Sequence, residues 1–231
     1  MKQSIVEENL RQTEIGYDLI AKKFSETRKH FWRSLDFAKQ YVQDRDSILD
    51  FGCGNGRLTE LFSGKNINYT GVDVSQKLID YANKQYAGNK NSFLKISPNE
   101  ISLPFNDENF NSVYSIATFH HLPGKKHRLA VAEELYRVTK KKGWLVVTVW
   151  NLWQSKYRGN IWKNRVEKII CKSKLDWSDC KITFTDNEGQ VFNRYHHAFT
   201  KQSLEKLFKK AGFNIVEVKR VGGNLVLVGQ K

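Results

Sequence analysis

The residues best equipped for chemistry form a short run, Asp50-Phe51-Gly52-Cys53-Gly54-Asn55-Gly56. It follows Ser47-Ile48-Leu49, whose apolar character reads as a buried strand, and precedes a helical stretch from Arg57 to Phe62. Glycines at such a turn allow tight reversal and close approach of a ligand to the backbone. The helix that follows presents free N–H groups and a partial positive charge, which suits an anion. Asp73 ends the next expected strand, 21 residues after Gly52. A carboxylate placed there can accept both ribose hydroxyls of a nucleoside ligand.

A dinucleotide site would show G-x-G-x-x-G, but this chain has G-x-G-x-G after an acid. That spacing suits S-adenosylmethionine, with Asp50 toward its ammonium and the loop amides toward its carboxylate. The expected cofactor contacts are Asp50, Gly52, Cys53, Gly54, Gly56, Asp73, Val74, Asn99, Glu100 and Ala117. Cys53 is read as a small motif residue without a redox role.

The elements that must position these groups alternate. Residues 5–42 read as helical, with Ile15, Leu19, Ile20 and Phe24 at helical spacing. Strands are expected at 47–51, 69–73, 92–96, 113–117 and 144–150. Helices are expected at 57–62, 76–84 and 125–140, and another at 201–211, which Gly212 stops. Two closing strands follow at 214–220 and 224–229. Alternation of this kind implies an α/β fold, a doubly wound, Rossmann-like, mostly parallel sheet covered on both faces. The chain reads as one domain over 1–231, with helices over 1–46. The stretch 151–190 is too long for a simple connection and should form an inserted cap beside the ligand cleft.

Asp50 to Gly56 with Asp73 resembles the signature of class I methyltransferases. Asn99-Glu100-Ile101-Ser102-Leu103-Pro104-Phe105 resembles a later element of that family, in which Asn99 replaces the acid that meets the adenine amino group. The resemblance implies a seven-stranded sheet and S-adenosylmethionine as cofactor. A narrower resemblance rests on four segments. They are Tyr17-Asp18-x-Ile20-Ala21-x-x-Phe24-Ser25-x-Thr27-Arg28, Ile116 to His121 followed by Arg128, Val149-Trp150, and Asn193-Arg194-Tyr195-His196-His197-Ala198-Phe199. These are similar to the tRNA wobble-uridine carboxymethyl methyltransferases of fungi and animals. That family esterifies 5-carboxymethyluridine and works with a small activator subunit. The chain departs from its pattern at Arg33, at Trp153 and at Lys142-Gly143-Trp144.

A carboxylate acceptor is ionised at neutral pH and needs a clamp, for which arginine is best matched. An amine or phenol acceptor would instead need a base such as histidine. The residues alone leave both open. Arg28, His121, Arg194 and His197 are the expected acceptor-side residues, the resemblance selecting His197 over His196. A metal is not expected, since no Cys or acid lies at ligand spacing near the histidines.

Composition sets the outer bounds. Among 231 residues, 40% are hydrophobic and only three are proline, which excludes collagen-like and disordered classes. No apolar run is long enough to span a membrane and no secretory leader is seen. Cys53, Cys171 and Cys180 are too scattered for a disulfide framework, so a cytoplasmic location is expected. The formal charge is +14, and the last 81 residues hold +9 of it. A polyanion such as tRNA is the expected partner. Between 151 and 172, Trp153, Tyr157, Ile161, Val166 and Ile169 fall near helical spacing and read mainly as a buried stripe. The interleaved cations read as RNA contacts, whereas Lys140-Lys141-Lys142 reads as a solvated helix end. Two alternatives remain beside the tRNA methyltransferase: a methyltransferase of a small carboxylate or amine metabolite, and a non-catalytic RNA-binding protein on the same fold.

Overall fold

The structure, a computed structural model, describes residues 1–28, 32–185 and 188–231. Its centre is a sheet of β1 (Ser47–Phe51), β2 (Asn68–Asp73), β3 (Asn91–Lys95), β4 (Phe110–Ile116), β5 (Thr139–Trp150), β8 (Asn214–Val221) and β9 (Asn224–Gln230). Their order is β3-β2-β1-β4-β5-β9-β8. The first five strands are parallel, and β9 is antiparallel to both neighbours. Strand order reverses between β1 and β4, so a crevice opens where their carboxyl ends diverge.

Buried strands explain the layers. Ile48 and Leu49 are both fully buried but point to opposite faces. Leu49 joins Val72, Val113, Leu145 and Val147 beneath α3 (Lys125–Val138) and α5 (Lys201–Lys210). Ile48 joins Tyr69, Tyr114 and Val146 beneath α2 (Gln76–Tyr86) and two 3₁₀ segments, Arg33–Tyr41 and Arg57–Phe62. A capping box of Thr200 and Ser203 starts α5, and Ser75 caps α2 through the Leu78 N–H.

Several expectations needed correction. The helix expected over 5–42 is α1 (Gln3–Thr27) followed by the 3₁₀ segment from Arg33, with a break at Arg28, which leaves the helical conformation, and at extended Trp32; residues 29–31 lie outside the described residues. On α1 the core takes Val6, Leu10, Ile20 and Ala21, while Ile15 and Leu19 are exposed. Lys140-Lys141-Lys142 is not a helix end. Thr139 is already extended, its hydroxyl donates to the Leu135 carbonyl, and the lysines begin β5.

The 151–190 stretch contains α4 (Ser155–Ile169) and β6 (Asp179–Thr185), which pairs antiparallel with β7 (Val191–His197). Ile161 of α4 is buried with Leu152 and Cys180, and Trp153 and Tyr157 pack against them. Val166 and Ile169, expected on the same buried stripe, are 55% and 69% exposed. No helix among the described residues is long and apolar enough to cross a membrane.

Candidate active site

One cavity occupies the crevice, walled by the ends of β1, β2, β4 and β5, by α1 and by β7. Gly52, at φ +80°, passes so close to Thr118 that an added Cβ would lie 2.1 Å from its Oγ1. The Gly54 N–H donates to Asp73 Oδ2 at 2.8 Å, and the Ser75 N–H donates to Oδ1 at 2.9 Å. Asp73 thus fixes the glycine loop while keeping spare lone pairs toward the cavity. Burial raises its pKa, against the pull of those amides.

Asp50 accepts from the Tyr69 hydroxyl through Oδ2, but its buried Oδ1 has no partner among the described residues. Burial lifts its pKa to about 7 despite the Tyr69 bond. A buried carboxylate oxygen left unpaired is costly, and an ammonium group from a ligand would relieve it. The cavity also includes Ile96, Pro98, Leu122 and Val131, which offer an apolar surface for a purine.

The opposite end is cationic. Arg28, Arg57 and Arg194 all line the cavity. Among the described residues, neither Arg28 nor Arg194 makes an ion pair with an acid; Arg28 stacks over Phe24 at 4.5 Å and Arg194 over Phe184 at 4.7 Å. Burial lowers the pKa of Arg28, with repulsion from Arg194 adding to it. Burial, then repulsion from Arg28, brings Arg57 to about 10, so it stays charged at neutral pH.

Tyr17 ties α1 to this end. His121 Nδ1 faces the Tyr195 carbonyl at 3.1 Å, which places its proton there and leaves Nε2 as an acceptor. The Tyr17 hydroxyl lies 2.8 Å from that Nε2, and Arg194 NH1 donates to the same hydroxyl at 3.3 Å. Each donor is matched to an acceptor along Arg194, Tyr17, His121 and Tyr195. Burial, with repulsion from Arg194, lowers the His121 pKa to about 3, so the imidazole is neutral and its lone pair is engaged.

The expected residues therefore divide. Asp50, Gly52, Cys53, Gly54, Asp73, Val74, Glu100, Ala117, Arg28, His121 and Arg194 line the cavity. Gly56 does not; it sits at φ +79° capping the 3₁₀ segment, against Phe93 and Ala82. Asn99 does not either: it is exposed in the turn after β3, and the wall there is Ile96, Ser97, Pro98 and Glu100. His197 is turned away as well. Its Nδ1 lies 2.7 Å from the buried Asp179, and its ring packs on Phe199. The alternation of β7 puts Arg194 and His196 on one face and His197 on the other.

Tyr17, Arg57 and Trp150 were not expected as site residues. Tyr17 meets His121 across 104 positions of sequence, which no local spacing could reveal. His120, His121 and His196 bring ring nitrogens within 4.8 Å of one another. The Trp150 N–H donates to His120 Nδ1, so His120 Nε2 carries the proton, and Arg194 repels positive charge there. The trio makes a poor cation site and instead backs the cavity wall, His120 and His196 both stacking with Trp150.

A family profile described as a methyltransferase domain matches residues 49–147, the segment that carries the glycine loop and Asp73. The fold is that of the class I methyltransferases. A solved S-adenosylmethionine-dependent methyltransferase from Methanosarcina mazei superposes with a TM-score of 0.68 at 25% identity, covering 87% of this chain and 98% of that one. The tRNA (carboxymethyluridine(34)-5-O)-methyltransferase of Schizosaccharomyces pombe is 26% identical over 209 residues, 87% of this chain and 88% of that protein. The enzyme of the same name from Arabidopsis thaliana is 33% identical over 134 residues, 58% of this chain but only 31% of its own length. The cofactor of this methyltransferase is S-adenosylmethionine, and the site fits it: the unpaired Asp50 oxygen suits its ammonium, Asp73 its ribose, and the Gly52 cradle its amino-acid end.

Proposed function

We propose that the protein esterifies a carboxylate carried by tRNA, the carboxymethyl group of a wobble uridine. The observation that carries this reading is the pair of arginines, Arg28 and Arg194, which line one cavity with no acid partner among the described residues. An anion fits between such groups, and a carboxylate matches the guanidinium fork. When bound, S-adenosylmethionine supplies an electrophilic methyl group that a carboxylate oxygen can take with no proton to remove. The chain's own contribution is then to orient the carboxylate, exclude water and hold the arginines in place. The engaged, neutral His121 suits this task better than proton abstraction, since Tyr17 already occupies its acceptor atom.

The tRNA part of the reading is supported by the +14 charge and by the relatives' activity. In this reading residues 1–231 act as one domain in the cytoplasm, residues 151–190 form its substrate side, and a small activator subunit is a candidate partner. The test is acceptor competition. Arg194→Ala should lower methyl transfer to carboxymethyluridine-containing tRNA about 100-fold, roughly the loss seen when one charge-stabilising donor is removed. Affinity for S-adenosylhomocysteine should stay within about twofold. Undiminished transfer by the variant would overturn the clamp, and transfer to a small carboxylate in preference to tRNA would overturn the acceptor.

A further inference from the structure

Beside the cavity lies a surface that methyl transfer does not use. Trp150 lines the cavity and stacks on Tyr157 of α4, with ring centres 5.9 Å apart and planes 22° apart. Farther along α4, the Arg165 guanidinium sits 5.2, 4.8 and 5.1 Å from the rings of Trp153, Trp162 and Trp177. Its Nε also donates to the Trp177 carbonyl at 3.3 Å. The cation thereby fixes two indoles that are largely open to solvent, Trp162 at 53% and Trp177 at 48% exposure. Around them Lys156, Arg158, Lys163, Lys172 and Lys174 are exposed, and Glu167 is the single acid between positions 155 and 175.

Rigid exposed rings among cations make a stacking platform within reach of phosphates. The charge of this face is complementary to a polyanion and repels a basic partner. Its position matters equally, because Trp150 lines the cavity and its stack on Tyr157 joins the cavity wall to the start of α4. We propose that the outer face of α4, with Trp177, binds single-stranded RNA nucleotides flanking the acceptor, bases stacking on Trp162 and Trp177 and phosphates meeting Lys163 and Lys172. This rests on the reading of the acceptor as part of an RNA.

The test uses the full chain saturated with S-adenosylhomocysteine and a fluorescent 17-nucleotide stem-loop RNA with a seven-nucleotide loop, at low salt. Trp162→Ala and Trp177→Ala should each weaken binding roughly 5- to 100-fold, the range for loss of one base–aromatic stack. Trp162→Phe should retain most of the affinity, and a blunt RNA duplex should bind more weakly and ignore the substitutions. Cofactor affinity, measured by calorimetry, should be unchanged and reports on folding. Stem-loop binding equal to wild type in both alanine variants would overturn the inference and leave the proposed function standing. A wild-type protein that holds cofactor but binds no tRNA or stem-loop would instead overturn the proposed function and the inference with it. Anionic phosphatidylcholine–phosphatidylserine vesicles give the third arm: vesicle binding lost in Trp162→Ala, with RNA affinity intact, would assign the face to a membrane and overturn the RNA assignment.

Discussion

Asp50 is a buried carboxyl with a raised pKa in the cofactor half of the site. Its folded pKa, about 7, lies above the ordinary 3.8. The folded state therefore binds its proton more tightly than the unfolded chain does. The stability this gives is complete below about pH 4 and is lost as pH rises through 7. Asp50→Asn should remove that slope, so the variant gains thermal stability relative to wild type between pH 5 and 8, read from melting curves without cofactor. The same group must be ionised to hold an ammonium. Affinity for S-adenosylmethionine should then fall as pH drops below 7, by up to tenfold per pH unit, and calorimetry across pH 5.5–8 checks this. Tyr17 acts on the other half. Tyr17→Phe keeps the ring against Phe24 and His121 but removes the hydroxyl that Arg194 and His121 share. One such bond contributes about 1 kcal/mol, so kcat/KM should fall roughly 5- to 10-fold. The shape of the pH profile should not change, because His121 does not titrate in the working range. His197→Gln separates structure from catalysis. It removes the imidazole from buried Asp179, which should cost about 2 kcal/mol of stability, while activity per folded molecule is retained.

At the level of elements, the glycine loop and the helix starts set where these residues stand. Gly52→Ala forces a side chain onto left-handed backbone and into Thr118, so cofactor binding should vanish; the absence of a melting shift with S-adenosylhomocysteine reads this out. Thr200→Ala is the contrast. It breaks the α5 capping box and should cost about 1 kcal/mol with no change in kcat. The strands were legible because five-residue apolar runs bounded by Gly, Asp and Asn have few alternatives. For β1 the expected and observed bounds coincide, β2 starts one residue earlier than expected, and β3 is shifted by one residue at both ends. The cavity-lining places of Asp50, Gly52, Gly54 and Asp73 followed from these strands, since a motif at a strand end has a fixed place in a doubly wound sheet. Legibility failed where position depends on distant packing. Asn99 lies in a turn whose course periodicity does not specify. His197 is reversed relative to Arg194 by strand alternation, a constraint visible in the sequence that the family resemblance outweighed. The α4 stripe failed for another reason. Helical spacing shows that residues share a face, but not that anything covers it, and Val166 and Ile169 face solvent.

The whole molecule combines a pocket that fits a small zwitterionic cofactor with a strongly basic surface. The cavity is concave and shared by the sheet, α1 and β7, and α1, packed against it, places Tyr17 beside Arg194. The surplus of +9 in the last 81 residues includes the α4 face next to that cavity. Binding that depends on such cations releases counterions and weakens with salt. About four phosphate contacts would reduce tRNA affinity roughly 100-fold between 50 and 200 mM salt, whereas affinity for S-adenosylmethionine should change little. The central claim, a carboxylate ester made on tRNA, is tested most directly by nucleoside mass spectrometry. The substrate is tRNA lacking wobble-uridine methyl esters, incubated with methyl-labelled S-adenosylmethionine, the protein and a small activator subunit. A labelled methyl ester on 5-carboxymethyluridine, lost on mild alkaline hydrolysis, is the predicted result. Label absent from tRNA in a protein that demonstrably binds cofactor, or found on a ring nitrogen or ribose oxygen instead, would contradict the account.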